Sequence, residues 1–272
     1  NMLACHVTIV HDCRGPSNPI TCCEAASGLS IAESRRVIQR DNADACLSGG
    51  AEDRVNPLAL FRQHCTGRLA PTDGSGDLSS IVLPFGENAT GTLVGEGGGI
   101  LLIESNESCT TRSGNPWCTI DGIGCTQSIA DSPLIADAHA LTMSINIAMA
   151  EAQCDPSDIG AIVPLGAGVA LIDQAERDAL KQVFSDSLQS IPMITTIPYT
   201  GNCMSGNGTI AIAVAAKALR EQMIPARLGS EETVGVDAAK CESKTADIGR
   251  ILVVTPSEGG QCVAMVLGRI KS

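Results

Sequence analysis

Aromatic side chains are almost missing: three Phe, one Trp and one Tyr among 272 residues. Carbohydrate and single-stranded nucleic-acid binders use aromatic platforms, so this palette excludes them. Positive charge is also scarce. Eighteen Lys and Arg stand against 30 Asp and Glu, a net charge of −12. That balance argues against nucleic acid, with its phosphate backbone, as a partner. There is no C-x-x-C pair and no His-rich spacing, which argues against a zinc ribbon or a disulfide framework, and no metal ligand set is evident. No apolar run approaches the ~20 residues a membrane span needs, and no stretch reads as a signal peptide, so no membrane partner is expected.

Small apolar residues are plentiful. Hydrophobic residues make up 44% of the chain, with 28 glycines. A core of Ala, Val, Ile and Leu suits a layered α/β protein of one large domain or two small ones. The 13 cysteines read as small buried hydrophobes of a protein in the reducing cytoplasm.

The stretch Asn18 to Gly28 is the expected site. It reads as a short buried strand, a sharp turn and the first turn of a long helix. Ala25, Ala26, Ser27 and Gly28 let another backbone or a ligand approach closely. Leu29, Ile31, Val37 and Ile38 continue the helix, with Arg35, Arg36 and Arg40 on other faces. The side chain at position 24 faces the positive end of that helix. A cysteine there would be an activated nucleophile, but the residue is Glu24.

Along the chain, Val7–Val10 reads as a strand, and Ala43–Leu47 as a strand stopped by Ser48-Gly49-Gly50. Pro71–Ser80 reads as a polar loop. Ile100–Ile103 reads as a buried strand, and Asn106–Asn115 as a polar loop between halves 1–105 and 106–272. Trp117–Gln127 opens the second half as a strand. Ile135–Gln153 is expected to be a helix ended by Asp155-Pro156, Ile159–Val163 a strand, and Asp173–Phe184 a helix. Met193–Thr196 reads as a strand entering a second small-residue elbow, Thr200–Gly206, followed by a helix over Thr209–Arg220. Arg250–Val254 and Gln261–Leu267 form an apolar pair around Pro256–Gly260. The two elbow-and-helix units, with Gly95–Gly98 matching Ser257–Gly260, predict two stacked halves of one duplicated plan.

Several motifs now resemble those of the β-ketoacyl synthases of the thiolase fold, over essentially the whole chain. They are Gly15-Pro16, Ala43-Asp44 before Gly49-Gly50, Pro84-Phe85, and Gly91 through Gly99. Asp173 and Glu176 after Gly166 and Gly168, and Ile224-Pro225, complete the set. The resemblance implies a thiolase-like α-β-α-β-α sandwich of two duplicated halves, the first lacking its opening strands. It also implies condensation of an acyl thioester with malonyl-carrier protein, by a nucleophilic Cys, two His and a Lys and no cofactor. The Cys takes the acyl chain and the His pair supports decarboxylation and the enolate.

This chain departs from that pattern at every one of those positions. Glu24 stands at the nucleophile position, Leu165 and Asn202 at the two His positions, and Ile197 at the Lys position. The family's C-terminal Gly-Phe-Gly-Gly gate is Ser257-Glu258-Gly259-Gly260. None of His6, His11, His64 and His139 falls in a motif. An acylated Glu24 would be a hydrolytically labile anhydride, and an ionised carboxylate donates no hydrogen bond to an enolate. The substitutions resemble those of chain-length factors, the degenerate β subunits of type II polyketide synthases. In that subset the subunit pairs with an active ketosynthase and shapes the acyl tunnel, here expected around Gly201, Glu258, Gly259 and Gly260.

Two other readings stand beside this one. In an active synthase with a shifted elbow, Cys23 or Cys22 would take the acyl chain. In a non-catalytic scaffold, Glu24 would be only an electrostatic feature of the helix start. The resemblance implies acyl carrier protein as partner and a dimer, formed with an active ketosynthase or with itself, through paired strands at Pro19–Cys22. The half-sheet's missing strands would be filled in that assembly. Carrier docking would need a local basic patch, for which Arg62, Arg68 and the Arg35, Arg36, Arg40 group are candidates.

Overall fold

The computed structural model of the chain describes residues 2–72, 74, 78–128 and 137–270. Helix α1 (Met2–Val10) leads by an extended segment and a 3-10 turn at Cys23–Ala25 to α2 (Ala26–Gln39). Then come β1 (Ala45–Asp53), α3 (Pro57–Cys65), β2 (Glu96–Glu104) and α4 (Asn106–Thr111). The rest comprises β3 (Thr119–Gln127), α5 (Ala138–Glu151), β4 (Ala161–Val163), α6 (Ala170–Phe184), α7 (Ile197–Thr200) and α8 (Asn207–Glu221). The short β5 (Met223–Ile224) and β6 (Lys244–Thr245) precede β7 (Arg250–Pro256) and β8 (Gln261–Gly268).

The main sheet has the order β3-β8-β7-β4, with β4 parallel to β7 and the other pairs antiparallel. Side chains alternate across a strand, so β7 feeds two cores. Leu252 and Val254 join Leu141, Ile145 and Met149 of α5 and Leu180 and Phe184 of α6. Ile251 and Val253 join Ile31 of α2 and Ile212, Ala215 and Leu219 of α8 on the opposite face. The second sheet, antiparallel β1-β2, adds Leu101 and Ile103 to that same central layer. The order of layers is therefore helix, sheet, helix, sheet.

Both elbows have one backbone solution. Cys23 has φ 44° and Met204 has φ 47°, each entering a 3-10 turn that runs into a helix. The helices they start, α2 and α8, lie together: the Thr209 N–H donates to Ser27 Oγ at 3.1 Å. A Cβ on Gly208 would stand 2.7 Å from that oxygen, so close packing of the two starts requires glycine there.

Several expectations are corrected. Val7–Val10 belongs to helix α1 rather than a strand. Met2, Leu3 and Ala4 favour helix, and a helix satisfies its own backbone groups without a neighbour. Pro19–Cys22 forms no strand and pairs with no strand among the described residues. Strand β1 does not stop at Ser48-Gly49-Gly50 but runs to Asp53. The glycines serve close approach instead, since a Cβ on Gly49 would meet Gly99 O at 2.1 Å. The run Ile100–Ile103 is only half-buried, with Ile100 and Leu102 about half exposed. Asn106–Thr111 is a short helix because the Ser105 hydroxyl caps it, accepting from the Ser108 N–H at 3.1 Å. Met193–Thr196 contributes one bridge, Met193 to Ile162, and no strand. Residues 135 and 136 of the expected Ile135–Gln153 helix lie outside the described residues. Only Cys109, Cys203 and Cys262 are buried; the other cysteines are partly or fully exposed, and all are free.

Candidate functional site: a charged elbow

Glu24 is completely buried at the start of α2. Its carboxylate is held from two sides. Arg68 Nη2 donates to Oε1 at 2.5 Å. The Glu258 backbone N–H donates to Oε2 at 3.1 Å, and the Ser257 hydroxyl, whose single proton points to the Cys22 carbonyl at 3.0 Å, lies 3.3 Å from it. Arg68 is 2% exposed, and its Nη1 lies 3.4 Å from Glu258 Oε2. A buried carboxylate needs such a partner, because an isolated buried charge is prohibitively costly.

Arg68 therefore belongs to the site, not to a docking surface. Local chain chemistry delivers it there. Helix α3 ends with Gly67 in the left-handed region, φ 68°. The Gly67 N–H donates to His64 O at 3.0 Å and the Arg68 N–H to Gln63 O at 3.1 Å. This double closure is the glycine-terminated helix end that turns the next residue sharply away from the helix axis. Thr66-Gly67-Arg68 after a helix was the available signal, but a pairing across 44 positions leaves no local trace. The other arginines proposed for docking differ: Arg35 pairs with Glu151 at 2.7 Å and Arg40 with Glu33 at 2.8 Å, and Arg62 is exposed.

Cys23 is half-buried beside this cluster, its sulfur within 4.8 Å of the carboxylate oxygens of Glu24 and Glu258. Burial, and then those carboxylates, push its thiol up to about 11. An activated nucleophile requires the reverse shift. These three side chains could in principle face a cation, but the Arg68 guanidinium already supplies the compensating charge.

Leu165 is buried in an apolar cluster with Ile197, Val82, Ala167 and Ile172. Its backbone N–H donates to Glu176 Oε1 at 2.8 Å, and the Gly166 N–H to Oε2 at 3.0 Å. Asp173 Oδ2 accepts from Gly168 at 3.1 Å and from Phe85 at 2.8 Å. Burial raises both carboxyls, Asp173 to about 7 and Glu176 to about 8, with these backbone donors opposing. Asn202 Oδ1 accepts from the Met204 N–H at 2.9 Å and from Asn207 Nδ2 at 2.8 Å. It thus shapes the second elbow.

A cavity of about 10 Å³, room for about one water molecule, is lined by Pro164, Leu165, Thr196, Asn207, Ala211, Val254 and Thr255. That is below the ~300 Å³ of ordinary ligand pockets. Gly201, Glu258, Gly259 and Gly260 do not line it. Gly201 packs against the Val94–Gly95 backbone, and Gly259 and Gly260, at φ 87° and 86°, form the β7–β8 turn. The four histidines are all exposed. The described residues therefore bring Glu24, Cys23 and Glu258 together with Arg68. Around Leu165, Asn202 and Ile197 they place neither an imidazole nor an amine.

Two stacked elbow-and-helix units in alternating helix and sheet layers define a thiolase-fold protein, and the first elbow carries a neutralised carboxylate. The chain belongs to the β-ketoacyl synthase family. The N-terminal domain of that family matches residues 1–108 and its C-terminal domain matches residues 117–231. Among curated relatives, the actinorhodin polyketide putative β-ketoacyl synthase 2 of Streptomyces coelicolor is 29% identical over 97% of this chain. The tetracenomycin polyketide synthase ketoacyl synthase β subunit of Streptomyces glaucescens is 27% identical over 97% of this chain. This chain spans 64% of the length of each. Among solved structures, the ishigamide ketosynthase/chain length factor superposes with TM-score 0.85 at 23% identity, covering 94% of this chain and 61% of its own. A type II polyketide acyl-carrier protein in complex with its ketosynthase bound to the hexaketide gives TM-score 0.91 at 21% identity, covering 98% of this chain and 66% of its own.

Proposed function

We propose that this chain is a β-ketoacyl synthase-like subunit of polyketide or fatty acid biosynthesis without condensing activity of its own. In this reading it pairs with an active ketosynthase and shapes the acyl tunnel that the partner's chemistry fills. The observation that carries it is the Glu24–Arg68 pair. The nucleophile's place is taken by a carboxylate whose oxygens are occupied by a guanidinium and a backbone N–H. Removing a single oxyanion donor costs ~100-fold or more, and here both imidazoles and the thiol are gone. The likeness to two polyketide synthase relatives, one of them a β subunit by name, supports the same reading. The raised Cys23 thiol weighs against the alternative in which that residue takes the acyl chain.

Acyl carrier protein, a dimer with an active ketosynthase or a second copy, and a cytoplasmic setting belong to this proposal. So does a division into halves 1–105 and 106–272. The free cysteines suit a reducing compartment. Among the described residues no helix is long and apolar enough to cross a membrane. The test is incubation with an acyl-pantetheine thioester followed by peptide mass mapping. No acyl adduct is expected on Cys22, Cys23 or Glu24, and condensation should occur only when an active ketosynthase is added. A stable adduct on Cys22 or Cys23 overturns the proposal.

A further inference from the structure

The turn between β7 and β8 is tied to the first elbow by more than packing. The Ser257 hydroxyl donates to the Cys22 carbonyl at 3.0 Å and approaches Glu24 Oε2 at 3.3 Å. The Glu258 N–H donates to Glu24 Oε2 at 3.1 Å, and the Glu258 carboxylate faces Arg68 Nη1 at 3.4 Å. On its far side the turn is anchored to the end of β3. Gln127 Nε2 donates to Gly259 O at 2.7 Å, and the Ser128 N–H to Gly260 O at 3.0 Å. Both glycines have positive φ, so the turn is built around two residues that most side chains would disfavour.

The charges decide which anchor is the stronger. The β3 side offers neutral hydrogen bonds. The elbow side offers a buried carboxylate and a buried guanidinium, and hydrogen bonds to ionised groups are roughly twice as strong as neutral ones. Among the described residues, Arg68 Nε and Nη1 have no hydrogen-bond acceptor. The guanidinium therefore depends on the electrostatic contact with Glu258 as well as on Glu24.

We propose that Glu24, Arg68 and Glu258 form a charged latch that holds the Ser257–Glu258 side of the turn shut over the first elbow. This deepens the reading given above, on which it rests: the elbow is closed to a pantetheine-borne thioester as well as unreactive toward one. The residue that replaced the nucleophile is then the catch of the door. Arg68 is a positioning residue that acts through Glu24 and Glu258.

Hydrogen exchange followed by mass spectrometry tests the latch on the full chain, at the backbone amide of Glu258 and in peptides covering 256–262. In the Glu24→Ala protein, exchange at that amide should rise about tenfold or more, because the acceptor and the charge that close the turn are both gone. Peptides from β3 should keep their protection, since the far anchor is intact. Unchanged exchange at Glu258 in a folded Glu24→Ala protein overturns the proposal. Where that variant does not fold, Glu258→Ala serves. Its side chain is partly exposed and removes only the Arg68 contact, and a several-fold rise is expected; no rise overturns the latch. Exchange speaks to the latch alone. Acyl adduct formation in the unaltered chain speaks to the subunit reading, so failure of one is distinguishable from failure of the other.

Discussion

Glu24 and Arg68 illustrate how one buried pair organises a site. A buried ion pair is weak evidence of net stability, yet breaking it from one side leaves a charge with no water and no partner. Glu24→Ala should therefore destabilise the chain by about 3–5 kcal/mol, read by urea denaturation. Replacing both partners, as in Glu24→Leu with Arg68→Met, should recover most of that loss, because the remaining groups no longer need desolvated counter-charges. Additive losses in the double variant would mean that the two side chains act independently. Glu24 was legible as the residue at the elbow because its distance from Gly15-Pro16 and from the Arg35-Arg36 helix is local information. Arg68 was misread as surface because burial is a property of the folded chain.

At the scale of single elements, the helix and strand patterns were legible wherever periodicity or caps dominate, as in α2, α6, α8, β7 and β8. They misled where a glycine or an apolar run has two physical readings. Gly49 and Gly50 looked like a strand stop and are contact points. Ile100 to Ile103 looked buried and is half open. Helix α6 carries a consequence for pH. Burial holds Asp173 at about 7 and Glu176 at about 8, above their ordinary 3.8 and 4.5. Between those limits the folded chain binds more protons than the unfolded one. Their stabilising contribution is complete below about pH 4 and is lost as pH rises through 7 and 8. Denaturation midpoints taken from pH 5 to 9 should fall along that range, with Glu176→Gln flattening the slope. Asp137, which faces the same region, and Arg177 beside Asp173 are the other charged groups to account for; burial pushes the Cys262 thiol up to about 12, so it stays neutral over this range. A slope unchanged in Glu176→Gln would remove Glu176 from the explanation.

For the whole molecule, the outer face of the β1–β2 sheet is the open question that physics poses. Leu47, Ile100 and Leu102 are exposed on it, and Met2, Ile9 and Val10 are exposed along α1. Apolar patches of this kind mark surfaces that are covered in an assembly. The isolated chain should therefore self-associate or bind an apolar dye, and light scattering should give a mass above one chain. Ile100→Lys combined with Leu102→Lys should shift that mass toward the monomer. A dye-silent monomer of the unaltered chain would count against a covered face.

Local order was written into residue types: which segments coil, where small residues crowd a turn, and that a carboxylate stands at the first elbow. Those follow from short-range sterics and from the chemistry each side chain carries. The fold decided which charges meet. It brought Arg68 under Glu24, laid the Ser257–Glu258 turn across both, and left one sheet face open, because burial and long-range pairing depend on layers that assemble far apart in the chain.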